Sequence, residues 1–186
     1  MSEHKKKISV PRPWELINTQ PVASCAVFDV HKAFSKSPNT GEIFPFYTID
    51  ASCWCNIIPI TPQDEVVMVR QYRHGSRSIT LEIPGGTVDP GEKPLDAAIR
   101  ELVEETGFRG KTVERLGVVN PNPAIFSNSC HTFLARDVQK VSSIRNSARE
   151  ETSVELVPRS EIRRLLIRGE INHALVIAAF QWLNLR

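Results

Sequence analysis

Residues 86–108 constrain the fold most narrowly, because their spacing predicts a loop that leads into one helix. Pro94 suits the first helical turn, where its missing N–H costs no hydrogen bond. Gly107 suits the left-handed position just past a helix end. Between them, an apolar arc that can pack on a sheet is formed by Leu95, Ala98, Ile99 and Leu102. We therefore predict an amphipathic helix packed against a β-sheet.

A second face of the same helix is acidic. Glu101, Glu104 and Glu105 lie three and four residues apart, so their side chains share one face, and Arg100 is placed to orient Glu104. Three like charges repel one another, and a solvated helix gains nothing from them. Hard divalent cations prefer carboxylate oxygens, so the face is a candidate metal site. The alternative is an ordinary acidic surface.

The spacing resembles the Nudix box, G-x5-E-x7-R-E-U-x-E-E-x-G-U with U apolar, at every position. The matching residues are Gly86, Glu92, Arg100, Glu101, Leu102, Glu104, Glu105, Gly107 and Phe108. The resemblance implies an α/β/α sandwich and hydrolysis of nucleoside diphosphates linked to another moiety, with Mg²⁺ or alternatively Mn²⁺. It also implies the metal ligands, which are Glu101, Glu104, Glu105 and the carbonyl of Gly85, with Glu92 a weaker contributor.

The flanking segments resemble the ADP-ribose and nucleoside-diphosphate-sugar pyrophosphatases of that family. The similar segments are 70–73, which reads RQYR, and 81–86, which reads LEIPGG. Gly85 replaces the alanine that is usual there, which we expect to be a mild departure. Pro123 lies close to where the ADP-ribose enzymes carry a proline, and the tail 157–183 is also similar. The resemblance implies a homodimer whose N-terminal strands, about 13–50, take part in dimerisation.

Several residues are candidates for binding the nucleotide substrate. Arg73 is expected to bind phosphate or the terminal ribose, or else to form a surface ion pair. Glu82 is expected either to hydrogen-bond to substrate or the box loop, or to be a plain structural glutamate. Adenine-stacking candidates, for each of which core packing is the alternative, are Phe28, Trp54 and Tyr72.

The general base in this subfamily tends to be a glutamate on a loop far beyond the box. The matching segment precedes the strand predicted at 154–157. Glu151 aligns best with a metal-linked glutamate there, and Glu150 is the alternative. A solvated loop face explains both residues equally well, since loops carry both catalysis and plain surface.

The order of elements predicts an α/β sandwich with a mixed sheet. Short strands interrupted by Pro21 are expected over 14–30, with a turn at 33–41 and a mobile loop at 142–152. One late helix should end at Gly169. A last helix, 173–185, should be capped by Asn172 and buried almost all round. The remaining predicted strands are 44–50, 52–60, 66–72, 79–83, 112–119, 130–135 and 154–157.

Length and charge limit the other possibilities. The 186 residues suit one domain, 13–186, after a flexible basic lead-in, 1–12. A net charge of +2 predicts no nucleic-acid or membrane partner. We see no membrane-spanning stretch or signal peptide, so the protein is expected to be cytoplasmic. The four cysteines lack zinc spacing, and we expect reduced, mostly buried thiols.

Three functions compete at this point. The first is an ADP-ribose or nucleoside-diphosphate-sugar pyrophosphatase that releases a nucleoside monophosphate and a sugar phosphate. The second is a house-cleaning pyrophosphatase for nucleoside triphosphates, which the flanking segments and the late helices disfavour. The third is a catalytically silent domain that binds a nucleotide as a sensor. Loss of box glutamates would favour the sensor, and this chain retains all of them.

Overall fold

The computed structural model describes residues 10–146 and 150–185. The chain divides into two compact units, residues 1–50 and 51–186. Most of the expected basic lead-in, and residues 147–149 of the expected mobile loop, lie outside the described residues. No helix in the described part of the chain is both long enough and apolar enough to cross a lipid bilayer.

The N-terminal unit is an antiparallel sheet with the strand order β1-β2-β3. The strands are β1 (Glu15–Ser24), β2 (Phe28–Lys36) and β3 (Ile43–Ala51). Pro21 does not interrupt β1, because the pairing with β2 accommodates it through a register shift between Pro21 and Ala23. The predicted turn at 33–41 was placed too early, since the strand continues through Lys36.

The second unit is built on a seven-stranded mixed sheet of order β12-β5-β4-β10-β9, with β6 beside β5 and β7 beside β4. Its first strands are β4 (Trp54–Ile60), β5 (Glu65–Arg73), β6 (Ser78–Glu82) and β7 (Gly85–Thr87). The later ones are β9 (Thr112–Val119), β10 (Cys130–Arg136) and β12 (Thr152–Pro158). The pair β4–β10 is parallel, whereas the other pairings are antiparallel. A separate two-stranded pair joins β8 (Phe108–Arg109) to β11 (Gln139–Lys140).

Helices cover both faces of this sheet. On one face, α1 (Pro94–Thr106) packs over a core that includes Ile57 and Val67. On the other, α2 (Ile162–Ile167) and α3 (Ala174–Asn184) pack over a core that includes Ile58 and Met68. Because both faces are covered, residues 66–69 of β5 are buried without alternation. The predicted α/β/α sandwich with a mixed sheet is confirmed.

The helix ends follow local chemistry, with one exception. Pro94 opens α1, and Gly107 ends it at φ 73° while its N–H bonds to the carbonyl of Val103. Gly169 also adopts a positive φ, of 71°, just after α2. The cap of α3 was wrongly predicted, because the imidazole of His173, rather than Asn172, accepts the N–H of Leu175.

The expectation that the last helix is buried almost all round was also wrong. Its buried residues, Val176, Ala179 and Phe180, form a single stripe against the sheet. Ile177 on the other side is 44% exposed. Apolar composition alone did not reveal this, because the sheet covers only one side of α3.

We predict that Gly117→Ala destabilises the second unit. A Cβ at Gly117 in β9 would overlap the indole of Trp182 on α3 and lie 2.7 Å from its Cδ2. Inserting a methyl group into a packed core typically costs about 1–3 kcal/mol. Urea denaturation would measure the loss, with Gly75→Ala as the control, since a Cβ there meets nothing within 4 Å. Equal stability of the two variants would contradict the packing that we describe.

Candidate active site

Two glycines allow β7 to lie close to both β4 and α1. A Cβ at Gly85 would overlap the carbonyl of Cys55 and lie 2.8 Å from the Cα of Asn56. A Cβ at Gly86 would lie 2.5 Å from a carboxylate oxygen of Glu101. An alanine at 85 would therefore clash with β4 in this chain, because the strand pairing leaves no room for a Cβ. The role of the Gly85 carbonyl as a metal ligand stays a prediction.

Arg100 joins the loop to the acidic face of α1. Its Nε and Nη2 donate to the two carboxylate oxygens of Glu92, each at 3.0 Å. Its Nη1 donates to Glu101 at 2.7 Å and to Glu104 at 3.2 Å, as its position four residues before Glu104 suggested. Nη2 also reaches the carbonyl of Thr87 at 3.2 Å. The bonds from Glu92, Glu101 and Glu104 raise the pKa of the guanidinium, which stays charged.

Glu105, near the end of α1, is buried. Its Oε2 accepts the backbone N–H of Gly85 at 3.0 Å, which links the end of α1 to the loop. Burial raises the pKa of Glu105 to about 8, the nearby charges of Glu101 and Glu150 add to the rise, and the Gly85 N–H and Arg73 oppose it. The pKa of Glu101 is also raised, chiefly by burial. The site thus holds carboxylates whose charge is only partly compensated.

Arg73 and Glu82 form a second, buried ion pair. The Nε and Nη2 atoms of Arg73 donate to the two oxygens of Glu82 at 2.8 and 2.7 Å, and the hydroxyl of Thr80 donates at 2.6 Å. Burial alone would raise the pKa of Glu82, but the bonds from Arg73 and Thr80 lower it overall. The Glu82 side chain is 3% exposed and that of Arg73 is 42% exposed. The buried carboxylate of Glu82 therefore anchors Arg73, whose side chain stays partly exposed.

A cavity of about 1110 Å³ opens beside this pair. Four of the predicted site residues line it, namely Tyr72, Arg73, Glu150 and Glu151. The remaining residues of its lining are Arg70, Gln71, His74, Gly75, Ser76, Ile79, Thr80, Thr152, Ser153, Asn172 and His173.

Three other candidates lie elsewhere in the chain. Trp54, at the start of β4, packs on Phe126 with ring centroids 5.7 Å apart. Pro123 is exposed in the turn between β9 and β10 and does not line the cavity. Phe28 belongs to the N-terminal unit, where it is 36% exposed. Of the three aromatic candidates, the cavity contains Tyr72 alone, with its ring edge-on to His74 at 5.2 Å.

Sequence reasoning missed Thr80 and His173. Thr80 precedes Glu82 by two residues and so shares its side of β6, which is a detectable signal. His173 was assigned to the body of the last helix. Its Nε2 lies 3.9 Å from Glu82, a proximity that only the packing of α3 against the sheet creates.

The donor set suits a hard divalent cation. It offers Glu101, Glu104, Glu105 and the Gly85 carbonyl, all oxygen ligands. Burial raises the pKa values of Glu101 and Glu105, and repulsion from neighbouring glutamates adds to the rise; a bound cation would stabilise the charged form of both carboxylates. Within residues 10–146 and 150–185, however, no three acidic, His or Cys side chains already converge on one point. Arg100 bonds to one oxygen of Glu101 and one oxygen of Glu104, so a cation would share these carboxylates with the guanidinium.

All four cysteines are free, but the expectation of mostly buried thiols holds for only two of them. Cys55 and Cys130 are buried, and desolvation raises their pKa values to about 11 and about 12. Cys25 is exposed and Cys53 is partly buried. The thiol of Cys55 donates to the carbonyl of Gly86 at 3.6 Å. A neutral buried thiol packs as a small apolar group and is a poor nucleophile.

Comparisons with known proteins agree with this geometry. The family model described as the NUDIX domain matches residues 55–180. The chain is 28% identical to an ADP-ribose pyrophosphatase of Bacillus subtilis over an alignment of 131 residues. This alignment covers 70% of this chain and 71% of that protein. It is 30% identical over 132 residues to the ADP compounds hydrolase NudE of Escherichia coli, which covers 69% of this chain and 70% of that protein.

The fold has a close counterpart among solved structures. The crystal structure of an ADP compounds hydrolase superposes with a TM-score of 0.82 at 24% sequence identity, covering 95% of each chain. This likeness supports the sandwich architecture. Because the family model matches more than half of the chain and the box is complete, the protein belongs to the Nudix family of hydrolases.

Proposed function

We propose that this protein is a Mg²⁺-dependent pyrophosphatase that hydrolyses ADP-ribose or related nucleoside diphosphate sugars to a nucleoside monophosphate and a sugar phosphate. One observation carries the proposal. Arg73, held by the buried Glu82, lines a cavity within electrostatic reach of Glu105 at the end of the box helix. A guanidinium that can bind phosphate thus lies near carboxylates that can bind a metal ion. The names of the two relatives, an ADP-ribose pyrophosphatase and an ADP compounds hydrolase, support the same substrate class.

The box residues would hold the metal. We assign this role to the side chains of Glu101, Glu104 and Glu105 and to the carbonyl of Gly85, with Glu151 contributing from the facing loop. Mn²⁺ is an alternative to Mg²⁺, since oxygen ligands suit both ions. A divalent cation bound there would neutralise the charge on the diphosphate and favour deprotonation of water.

The other site residues would orient the metal ligands and bind the substrate. Arg100 orients Glu101 and Glu104 through its hydrogen bonds to both. We assign Arg73 to bind a phosphate oxygen or the terminal ribose and Tyr72, which lines the same cavity, to stack on the base. Glu151, or alternatively Glu150, takes a proton from the attacking water. Water adds to one phosphorus and the P–O–P bond breaks, so each product keeps one phosphate.

We also propose that the protein is a cytoplasmic homodimer. The support for a dimer is the N-terminal sheet, in which every residue of β1 is exposed. The N-terminal unit carries several exposed large apolar side chains, including Trp14, Leu16, Ile43, Phe44 and Phe46. Apolar surface of this kind usually marks an interaction site. A dimer would bury these side chains.

The substrate is tested first with purified protein and Mg²⁺. The panel comprises ADP-ribose, GDP-mannose, UDP-glucose, NADH, a diadenosine polyphosphate and a dNTP, with products separated by chromatography. We expect AMP and ribose 5-phosphate from ADP-ribose while the dNTP stays intact. Turnover of the dNTP alone would reassign the protein to triphosphate house-cleaning. No turnover with any divalent metal would favour a nucleotide sensor.

Glu105→Gln is expected to reduce turnover of ADP-ribose by at least about a hundredfold, because it removes a metal-binding charge. The fold should survive, since the amide keeps the volume and can still accept the Gly85 N–H. Steady-state rates and a thermal melt would separate the two effects. Glu161→Gln is the matched control, because Glu161 is an exposed residue paired with Arg164. Near-normal turnover of Glu105→Gln with metal still required would refute the role of this carboxylate.

Glu151→Gln and Glu150→Gln distinguish the two candidates for the base. Both glutamates line the cavity, and Glu150 also contributes to the raised pKa of Glu105. We expect the variant that removes the base to lose kcat by about a hundredfold or more, since general-base catalysis typically contributes that much. The other variant should stay within a few-fold of wild type. If both remain within a few-fold, the base lies elsewhere.

A further inference from the structure

His173 connects the start of α3 to the buried ion pair. Its Nδ1 accepts the backbone N–H of Leu175 at 3.2 Å, so this nitrogen carries no proton. Burial lowers the pKa of His173, the charge of Arg73 lowers it further, and the charge of Glu82 opposes both. The imidazole is thus neutral near pH 7 and carries its single proton on Nε2. The helix cap therefore fixes the tautomer.

The protonated Nε2 faces the carboxylate that anchors Arg73. It lies 3.9 Å from Oε2 of Glu82, which already accepts Nη2 of Arg73 at 2.7 Å. A separation of 3.9 Å is too long for a hydrogen bond in this state. In the described part of the chain, donor atoms approach the Glu82 carboxylate from three side chains, Arg73, Thr80 and His173. His173 is the one whose donor is not yet engaged there.

An anion bound at Arg73 changes the surroundings of Glu82. Nη1 of Arg73 has no acceptor within residues 10–146 and 150–185, and the side chain is 42% exposed beside the cavity. A phosphate bound at Nη1 would draw the guanidinium toward the cavity and lengthen its bonds to Glu82. The carboxylate cannot turn to water for a replacement, because its side chain is 3% exposed. A buried acceptor that loses a partner is costly, and more so when it is charged.

We propose that His173 is a positioning residue that donates Nε2–H to Glu82 when Arg73 engages the phosphates of the substrate. The imidazole thereby lowers the cost of drawing Arg73 toward the anion, and it strengthens substrate binding without touching the reacting phosphorus. The inference rests on the proposed function, since it assumes a phosphate-bearing substrate in this cavity. It predicts that His173 affects KM far more than kcat.

Two substitutions separate this role from helix capping. Asparagine is a good N-cap, so His173→Asn keeps an acceptor for Leu175 but is too short to reach Glu82. Glutamine is a poor cap, but its amide is long enough to donate to Glu82. The melting temperature should therefore depend on whether residue 173 can cap α3, whereas KM should depend on whether it can donate to Glu82.

The experiment measures KM and kcat for ADP-ribose with Mg²⁺, together with melting temperatures. We expect His173→Asn to melt close to wild type and to raise KM about tenfold, the factor that corresponds to losing one hydrogen bond to a buried charge. Its kcat should change by less than about threefold. His173→Gln should melt at a lower temperature yet keep KM within about threefold of wild type. His131→Asn is the control, since His131 is partly buried with a lowered pKa and does not line the cavity.

The outcomes distinguish failure of the inference from failure of the function. If wild type turns over ADP-ribose and His173→Asn has an unchanged KM, the inference is wrong and the function stands. If KM rises in both variants in proportion to lost stability, His173 is only a cap and the inference is again wrong. If wild type hydrolyses no nucleoside diphosphate sugar on the panel, the proposed function and the inference fall together.

Discussion

The guanidinium of Arg100 makes the acidic face of α1 compatible with a folded structure. Like charges about 4 Å apart near a protein surface repel by on the order of 4 kcal/mol. Arg100 meets this by bonding to Glu92, Glu101 and Glu104 at 2.7–3.2 Å. It also holds the loop to the helix through the carbonyl of Thr87. The same contacts therefore compensate charge and set the distance between the loop and the carboxylates that follow it.

Arg73 and Glu82 repeat this logic on the neighbouring strands, with a more deeply buried carboxylate. In the box the side chains of Arg100 and Glu101 are 30% and 15% exposed, whereas those of Arg73 and Glu82 are 42% and 3% exposed. Glu105 differs from both, because within the described residues its hydrogen-bond donor is a backbone N–H and no guanidinium bonds to it. That difference explains why burial raises the pKa of Glu105 while that of Glu82 is lowered. The carboxylate without a cation partner is the one best prepared to receive a metal.

The predictions from sequence succeeded where the determinants are local and failed where they depend on packing. Pro94 and Gly107 mark the two ends of α1 through their backbone preferences, and β9 occupies the predicted range 112–119. The close approach of Gly85 to β4 was not predicted, because it arises from the pairing of β7 with β4 and not from the local sequence. The exposed side of α3 could not be read from apolar composition, since only the sheet decides which side is covered. For the same reason, no pattern in the sequence links His173 to Glu82, which is 91 positions earlier in the chain.

We expect metal binding at this site to bring the carboxylates together rather than to fill a ready-made cage, because within residues 10–146 and 150–185 no three acidic, His or Cys side chains already converge on one point. Glu101 and Glu104 would each share a carboxylate with Arg100, and Glu105 would share its carboxylate with the Gly85 N–H. The attraction of three carboxylates for the ion would be offset by this competition, so these side chains alone should hold it only moderately. Substrate phosphates supply the oxygen ligands that Mg²⁺ otherwise takes from water. Metal and substrate should therefore bind more tightly together than either does alone, and Arg100 would remain beside the diphosphate as a fixed positive charge.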